Sequence, residues 1–325
     1  MDFRTPVSID PVGFRLGLQS RVLTAGSCFA EVMGGRLQAN KLNVLSNPFG
    51  TVFNPVSLAH LLHTALHNGG LPENRLVGTD GQWFHYDLHS RFAAGTREAL
   101  LTEISRAMGG VSAFLPQTDC LILTLGTAWV YRLRTDGRVV ANCHKVPASE
   151  FTKTLLTAGQ VSVPLEILFR ELLAKQPGLR IILTVSPVRH LKDTLPMNSL
   201  SKSVLRVACH ELAEMFASVS YFPAYEIMTD DLRDYRFYKA DMIHPSETAE
   251  QYIWQLFTES HMDAAARRFL NEWADIRRAL AHRPLQPQSA GHRRFLQGLE
   301  QRLAALQYTT DVSQELALVR GQLSH

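Results

Sequence analysis

Two stretches of the chain carry residue types that could break or transfer acyl bonds. In the first, Ser27 and Cys28 follow a short β-rich apolar run, Val22-Leu23, and the glycine that ends it, Gly26. Phe29, Val32, Met33 and Leu37 then step by three, one and four, as one helix face would. The pattern reads as strand, tight turn and helix, with a hydroxyl and a thiol at the turn. A nucleophile there meets the N–H groups of a helix amino terminus, which favour a developing anion. Taken alone, these residues read first as an ordinary tight turn and N-cap. The second stretch is Asp241-x-x-His244. A carboxylate three residues before a histidine can orient the imidazole, and the ring can then act as base toward a hydroxyl or thiol. Alone, that pair is weak. Set beside a strand-end nucleophile near the chain start, it completes a nucleophile, base and orienter.

Elements must bring these two distant stretches together. Residues 1–20 read as an irregular lead-in, 21–40 as the strand-turn-helix, and Val44-Leu45 as a short strand entering SNPFGTVFNP (46–55). Asn47, Pro48, Gly50, Asn54 and Pro55 make that segment turn-rich, and a surface loop is expected. Val56 to His67 reads as a helix. Residues 68–95, with Trp83, His85, Tyr86 and His89, read as an irregular insertion: a lid or binding loop, or aromatics packed over the core edge. Thr96 to Met108, Leu165 to Ala174, Ser203 to Ala217 and Glu247 to Phe257 read as helices. Leu121 to Leu125 and Ile181 to Val185 are fully apolar runs expected to be buried parallel strands. Trp129 to Val140 turns at Thr135-Asp136-Gly137 and reads as a hairpin. Tyr221-Phe222 begins a last strand. This alternation predicts an α/β fold whose parallel sheet is covered on both faces. Gly26-Ser27-Cys28, Gly126-Thr127, Ser186-Pro187 and Glu226 would then fall at the carboxyl ends of strands, where ligands of such sheets bind.

Past residue 262 the pattern changes. Met262, Ala266, Phe269, Trp273, Ile276 and Leu280 form one apolar stripe. After a break at 282–292, Phe295, Leu299, Leu303 and Leu306 form a second, and Val312, Leu316, Val319 and Leu323 a third. The stripes are narrow and coiled-coil-like, which predicts a homo-oligomer held by these helices.

Composition excludes several classes. The net charge of +3 is spread without a basic block, so neither nucleic acid nor an anionic membrane is an expected partner. The amino terminus has no apolar signal-like segment, and no apolar run approaches the ~20 residues of a bilayer span. Cys28, Cys120, Cys143 and Cys209 form no CxxC and are too sparse for a disulfide scaffold, so a cytoplasmic location is expected. A zinc site from Cys28, Cys143, His144 and His244 lacks the usual ligand spacing, so no metal is expected.

Gly26-Ser27-Cys28-Phe29-Ala30 spells the stretch that names the GSCFA domain family. FRTPVSI, SNPFGTVFNP, LTLGTAWVY, NCHKVP, TVSPVRHLKD and YFPAYEIMTDDLRDYRFYKADMIHPSE follow the family in order. The resemblance covers roughly residues 3–260 and leaves the helical tail outside it. The family resembles in turn the SGNH, or GDSL-like, hydrolases and acyltransferases. That resemblance implies a flavodoxin-like three-layer sandwich with a central parallel sheet over residues 1–261, followed by a helical extension over 262–325.

The superfamily register sets Gly26 on its glycine, Ser27 on its aspartate and Cys28 on its nucleophilic serine. Gly50 resembles the second-block oxyanion glycine, and Gly126-Thr127 the start of the third block. Ala128 stands where that block has an asparagine, so Asn142, Asn47 or His144 is left to supply the third oxyanion donor. Asp241, His244 and Pro245 resemble the fifth block. Arg189 and His190, just past a strand end, are candidates for substrate binding. The expected function is an esterase or acyltransferase acting on an acylated carbohydrate or other hydroxyl compound. Cys28 or Ser27 would be nucleophile, His244 base and Asp241 orienter, with a thiol activated below its free pKa. No cofactor is required beyond an acyl-coenzyme A donor in the transferase case. The competing expectation is a binding module that kept the fold and lost the chemistry.

Overall fold

The apolar runs do become the buried strands of one sheet. A computed structural model describes residues 5–324; Phe3 and Arg4, the start of one family-like stretch, lie outside the described residues. The strands are β1 (Arg21–Gly26), β2 (Asn43–Thr51), β3 (Leu76–Thr79), β4 (Gln82–His85), β5 (Cys120–Leu125), β6 (Trp129–Leu133), β7 (Val139–Val140), β8 (Phe151–Leu155), β9 (Arg180–Val185) and β10 (Val219–Tyr221). The helices are α1 (Cys28–Ala39), α2 (Pro55–Leu66), α3 (Arg97–Phe114), α4 (Ala158–Lys175), α5 (Leu195–Met215), the short turn α6 (Ala224–Glu226), α7 (Glu247–His261), α8 (Ala264–Ala281), α9 (Ala290–Leu306) and α10 (Ser313–Leu323).

Five strands pair in parallel in the order β10-β9-β5-β1-β2. Numbered by their own succession, this is the 2-1-3-4-5 order of flavodoxin-like sheets, and it reverses between β1 and β5. At that point the chain leaves β1 in one direction and β5 in the other, and a crevice opens at the strand ends. Cys28 follows β1 and Gly126 follows β5, so both flank the crevice.

The two faces follow the period of two along each strand. Leu23, Leu121, Leu123, Ile181 and Leu183 point to α2, α3, α4 and α5. Val22, Cys120, Ile122 and Ile182 point to α1 and α7 through Phe29, Met33, Ile253 and Phe257. With both faces covered, each strand must be apolar throughout, which is why no alternation shows in Leu121–Leu125.

Four expectations need correction. SNPFGTVFNP is not a surface loop: β2 runs on to Thr51 after a shift in its register with β1, and Asn47, Pro48, Phe49, Gly50, Thr51 and Val52 are buried. The 68–95 segment is not irregular throughout, because β3 and β4 pair as a hairpin within it. The hairpin of β6 and β7 gains a third strand, β8, on its other edge. Helices α3, α4 and α5 each run one or two turns longer than the apolar spacing suggests.

The tail stripes turn inward. Phe269, Trp273 and Ile276 of α8 pack with Leu296, Leu299, Leu303 and Leu306 of α9 and with Leu316 and Val319 of α10. They bury one another within a single chain, so the stripes are not a free seam for a second copy. The start of α8, by contrast, joins the α/β body through Ala266 and Leu270. The Trp273 indole N–H donates to the Ala39 carbonyl at 2.8 Å, fastening α8 to the end of α1.

Candidate active site

β1 ends at Gly26 with φ at +136°, and a Cβ added there would lie 2.1 Å from the Thr124 carbonyl oxygen. Only glycine lets β1 and β5 stay this close while the chain turns. Ser27 then donates its backbone N–H to that Thr124 oxygen at 2.9 Å. Its hydroxyl accepts from the Phe29 N–H at 3.2 Å and caps α1. Ser27 is completely buried and its hydroxyl is committed to the helix. Cys28, one residue on, is partly exposed.

The surroundings of Cys28 pull in both directions. Burial pushes its pKa up and prevails; Lys202 and the N–H groups of Cys28 and Phe29 pull it down. The expectation of a thiol below its free pKa is therefore corrected. The helix N–H groups act as anticipated and the cation is a lysine, not an imidazolium, but desolvation outweighs both, and at rest Cys28 is a thiol.

Lys202 escaped the sequence reading. In an amphipathic helix a lysine reads as solvated, yet here it is 1% exposed. Its Nζ donates to the Gly126 oxygen at 2.7 Å and to the Ser186 oxygen at 2.8 Å. Those carbonyls sit just past β5 and β9, where the strands end and the backbone lacks ladder partners. No carboxylate pairs with Lys202 among the described residues. Burial pushes its pKa down to about 7, opposed by Cys28.

The candidate oxyanion donors sort unevenly. The N–H groups of Gly126 and Thr127 both donate to the Phe53 oxygen, at 2.8 and 3.1 Å, so neither is free for an oxyanion. The Thr127 hydroxyl shares a 3.0 Å hydrogen bond with Ser201. Ala128 is buried in the core and donates its N–H to the Ser201 hydroxyl at 2.8 Å. Gly50, at φ +71°, sits under His89, whose Cβ would meet an added Cβ at 2.5 Å. Asn47 is different. It is fully buried, and its Oδ1 accepts the Gly26 N–H at 3.1 Å. An oxygen must face that N–H, so Nδ2 points elsewhere, and it has no protein partner. A free amide donor thus stands beside the turn that carries Cys28.

His144 does not join these groups. Its Nε2 meets the His85 oxygen at 2.8 Å and its ring stacks on Phe84 at 4.9 Å, so it packs the β3–β4 hairpin. Asn142 accepts the His144 N–H at 2.9 Å, which fixes that corner.

Asp241 and His244 do meet as the spacing suggests. Asp241 Oδ1 accepts the N–H groups of His244 at 3.0 Å and Ile243 at 2.9 Å, and Oδ2 lies 2.7 Å from His244 Nδ1. The backbone bonds to His244 and Ile243, then the ring itself, hold the carboxyl well below its usual range. An ionised carboxylate only accepts, so Nδ1 carries the proton and Nε2 is left to exchange one. Arg189 clamps this loop: its guanidinium stacks on Tyr238 at 3.9 Å, and its backbone N–H donates to the Ile243 oxygen at 3.2 Å.

Among the described residues no hydrogen bond joins His244 to Ser27 or Cys28. Between the two halves stands His190. It packs edge-on against Phe53 at 5.1 Å, and its Nε2 is buried without a partner. Burial, then the nearby Lys202 and His244, push its pKa down to about 3, so it is neutral near pH 7. A cavity of about 620 Å³ adjoins His190 and Arg189, walled by Phe53, Trp129, Tyr131 and Asn142. A larger groove of about 1170 Å³ lies between α1, α7 and α8 and touches none of these groups. Among the described residues, one cluster has the ligand types for a metal: His63, His67 and Glu171, on α2 and α4. No helix among the described residues is long and apolar enough to cross a membrane.

Comparison with known proteins adds the following. A search of solved structures finds "The structure of a putative platelet activating factor from Streptococcus pneumonia", 13% identical, with a TM-score of 0.40, covering 74% of this chain and 83% of that one. No curated protein matches the sequence. The tail, which the sequence reading set outside the family, matches the GSCFA domain protein, C-terminal domain, over residues 273–325. Residues 21–257 match the GSCFA family, and the chain belongs to that family.

Proposed function

We propose that this chain is an SGNH-like ester hydrolase or O-acyltransferase with Cys28 as nucleophile. The observation that carries the reading is the division at the turn: the Ser27 hydroxyl is buried as a cap, whereas the Cys28 thiol is partly open and lies within the electrostatic reach of Lys202. The sheet order, with Cys28 at its reversal point, supports the superfamily placement.

The groups fall into two roles. Neutral Lys202 has two N–H hydrogens, and two carbonyls accept them. Its lone pair is the remaining position and takes the Cys28 proton. An S–H bond breaks, an N–H bond forms, and a thiolate–ammonium pair replaces two neutral groups. The pair is charge-balanced, which a buried site requires. The thiolate attacks the ester carbonyl, and the Cys28 N–H and Asn47 Nδ2 receive the oxyanion. The alcohol leaves with the Lys202 proton, giving an acyl thioester on Cys28. His244, oriented by Asp241, then takes the proton of water or an acceptor hydroxyl as it attacks the thioester; the C–S bond breaks, the Cys28 thiolate leaves, and the proton released by His244 restores the thiol. Asn47 thereby takes the place of the asparagine that Ala128 replaces. The aromatic walls of the cavity, Trp129 and Tyr131, with Asn142 and Arg189 beside them, suit an acyl group or a sugar ring bearing hydroxyls.

The test is a screen of acyl-nitrophenyl esters and acyl-coenzyme A donors, with and without sugar acceptors, read by intact-mass spectrometry. The wild type should show turnover. His244→Ala should accumulate an acyl adduct on Cys28, and Cys28→Ala should show neither adduct nor turnover. An active Cys28→Ala with a dead, folded Ser27→Ala would move the nucleophile to Ser27. Binding of acylated sugars without any turnover would favour the non-catalytic module.

A further inference from the structure

α2 and α4 lie side by side, joined in the core by Leu58, Leu61 and Leu62 of α2 and by Leu165, Leu168 and Leu172 of α4. His63 lies in the last turn of α2 and His67, four residues on, caps its carboxyl end, with the two rings 4.6 Å apart. Glu171 of α4 meets them there. His63 Nε2 lies 3.2 Å from one carboxylate oxygen and His67 Nε2 lies 2.6 Å from the other. The three ligand atoms all lie within 4.8 Å of one another. All three side chains are partly exposed, which leaves an entry path from solvent.

We propose that His63, His67 and Glu171 bind a first-row divalent transition metal of the zinc class and that the metal ties α2 to α4. Two imidazoles and one carboxylate suit zinc, copper or nickel; magnesium and calcium favour all-oxygen sets. A tetrahedral ion at ordinary zinc distances needs its ligand atoms about 3.3 Å apart. The separation of His63 from one Glu171 oxygen, 3.2 Å, already meets this, and the 2.6 Å contact of His67 with the other oxygen opens by roughly 0.7 Å as the ion replaces a hydrogen bond. Three protein ligands leave the fourth position to water. The ligands stand on two helices that already pack, so the ion finds them preorganised. The site is independent of the Cys28 chemistry: His63 is eight residues along α2 from its start at Pro55, about 12 Å along the axis.

The experiment uses full-length, untagged protein, as wild type and as Cys28→Ala to remove a competing thiol. Co²⁺ is followed by its visible d–d absorption, and Zn²⁺ by displacement of that band and by thermal melting. Both proteins should bind one Co²⁺, release it to Zn²⁺, and melt ~2–4 °C higher with saturating Zn²⁺. His63→Gln with His67→Gln should abolish the band and the shift, Glu171→Gln should weaken both, and His60→Gln should change neither. A band and shift that survive the double substitution, or that never appear in the wild type, overturn the site. Loss with His60→Gln but not with Glu171→Gln also overturns the ligand set. In the Cys28→Ala background no thioester can form, so the result stands apart from the acyl-transfer reading.

Discussion

The two groups proposed to handle protons live in opposite surroundings. Lys202 is sealed among strand ends with two carbonyls and a thiol for company. Asp241 and His244 expose 44% and 41% of their side chains and are held by a short loop that Arg189 clamps. In the sealed half a charge is expensive, so proton position is set by desolvation, and a single transfer from thiol to amine changes the local field strongly. In the open half solvent screens the charges, and the Asp241 carboxylate acts chiefly by direction, fixing which ring nitrogen is free. In the proposed mechanism the dry half activates the internal nucleophile and the wet half a diffusing acceptor hydroxyl.

The comparison breaks most readily at Lys202. Lys202→Met should slow alkylation of Cys28 by iodoacetamide at pH 8 by ~10²-fold, the scale of a lost general base. It should also move the half-maximal pH upward, because the burial that raises the thiol would remain without its cation. His244→Ala should leave that alkylation within about twofold while cutting acyl turnover by ~10²–10⁴-fold. Stopped-flow alkylation and turnover on the same samples separate the two. If His244→Ala slows alkylation and Lys202→Met does not, the roles are exchanged and the dry-half base is wrong. Lys202→Arg, which keeps a cation but does not release its proton, checks that the first result is not a packing defect.

A middle-sized effect lies at the boundary, in His190. Its folded pKa of about 3 lies below its ordinary value of 6.5. The unfolded chain therefore takes up the proton first as pH falls. The stability this represents is fully present above about pH 6.5 and is lost as pH drops toward 3, by an amount on the order of a few kcal/mol. Urea unfolding at pH 7 and pH 4 measures it. His190→Leu should flatten that difference, since no proton remains to be excluded. An unchanged slope would mean that the ring is hydrated and that the wet half extends further inward.

How much of this was legible divides along the same line. The β1 turn could be read because Gly26, the apolar run and the helix spacing all lie within a dozen residues, and Asp241-x-x-His244 because its geometry is local. The parallel sheet was legible because strands buried on both faces must be uniformly apolar. The dry half depends on contacts distant in sequence. Lys202 lies one residue before the helix read from the sequence, inside the longer α5, and only the meeting of the β5 and β9 ends buries it. Asn47 and Gly50 read as turn residues, and their positive φ angles, +43° and +71°, bear that out locally. The segment is nevertheless buried, because β1 pairs with it on both sides of the register shift and the β3–β4 region covers it. The tail stripes were visible, but a stripe does not say which partner covers it, and here α8, α9 and α10 cover one another.

The smallest effect tests whether Ser27 belongs to the chemistry or to the scaffold. Its hydroxyl accepts the Phe29 N–H, while its own backbone bonds, to Thr124 and from Ala30, do not involve the side chain. Ser27→Ala therefore removes one cap and leaves the turn intact. The expected loss is about 1 kcal/mol, typical of an N-cap replaced by alanine. For a chain of this size that lowers the melting temperature by ~2–4 °C. Cys28 alkylation should stay within about twofold of wild type, because the helix N–H groups around the thiol keep their positions. Ser27→Asn, which retains a capping oxygen, should recover part of the lost stability without changing the alkylation rate. A Ser27→Ala protein that melts like the wild type yet transfers no acyl group would reverse the assignment. The hydroxyl would then be the attacking group, and Lys202 would have to serve Ser27 in place of Cys28.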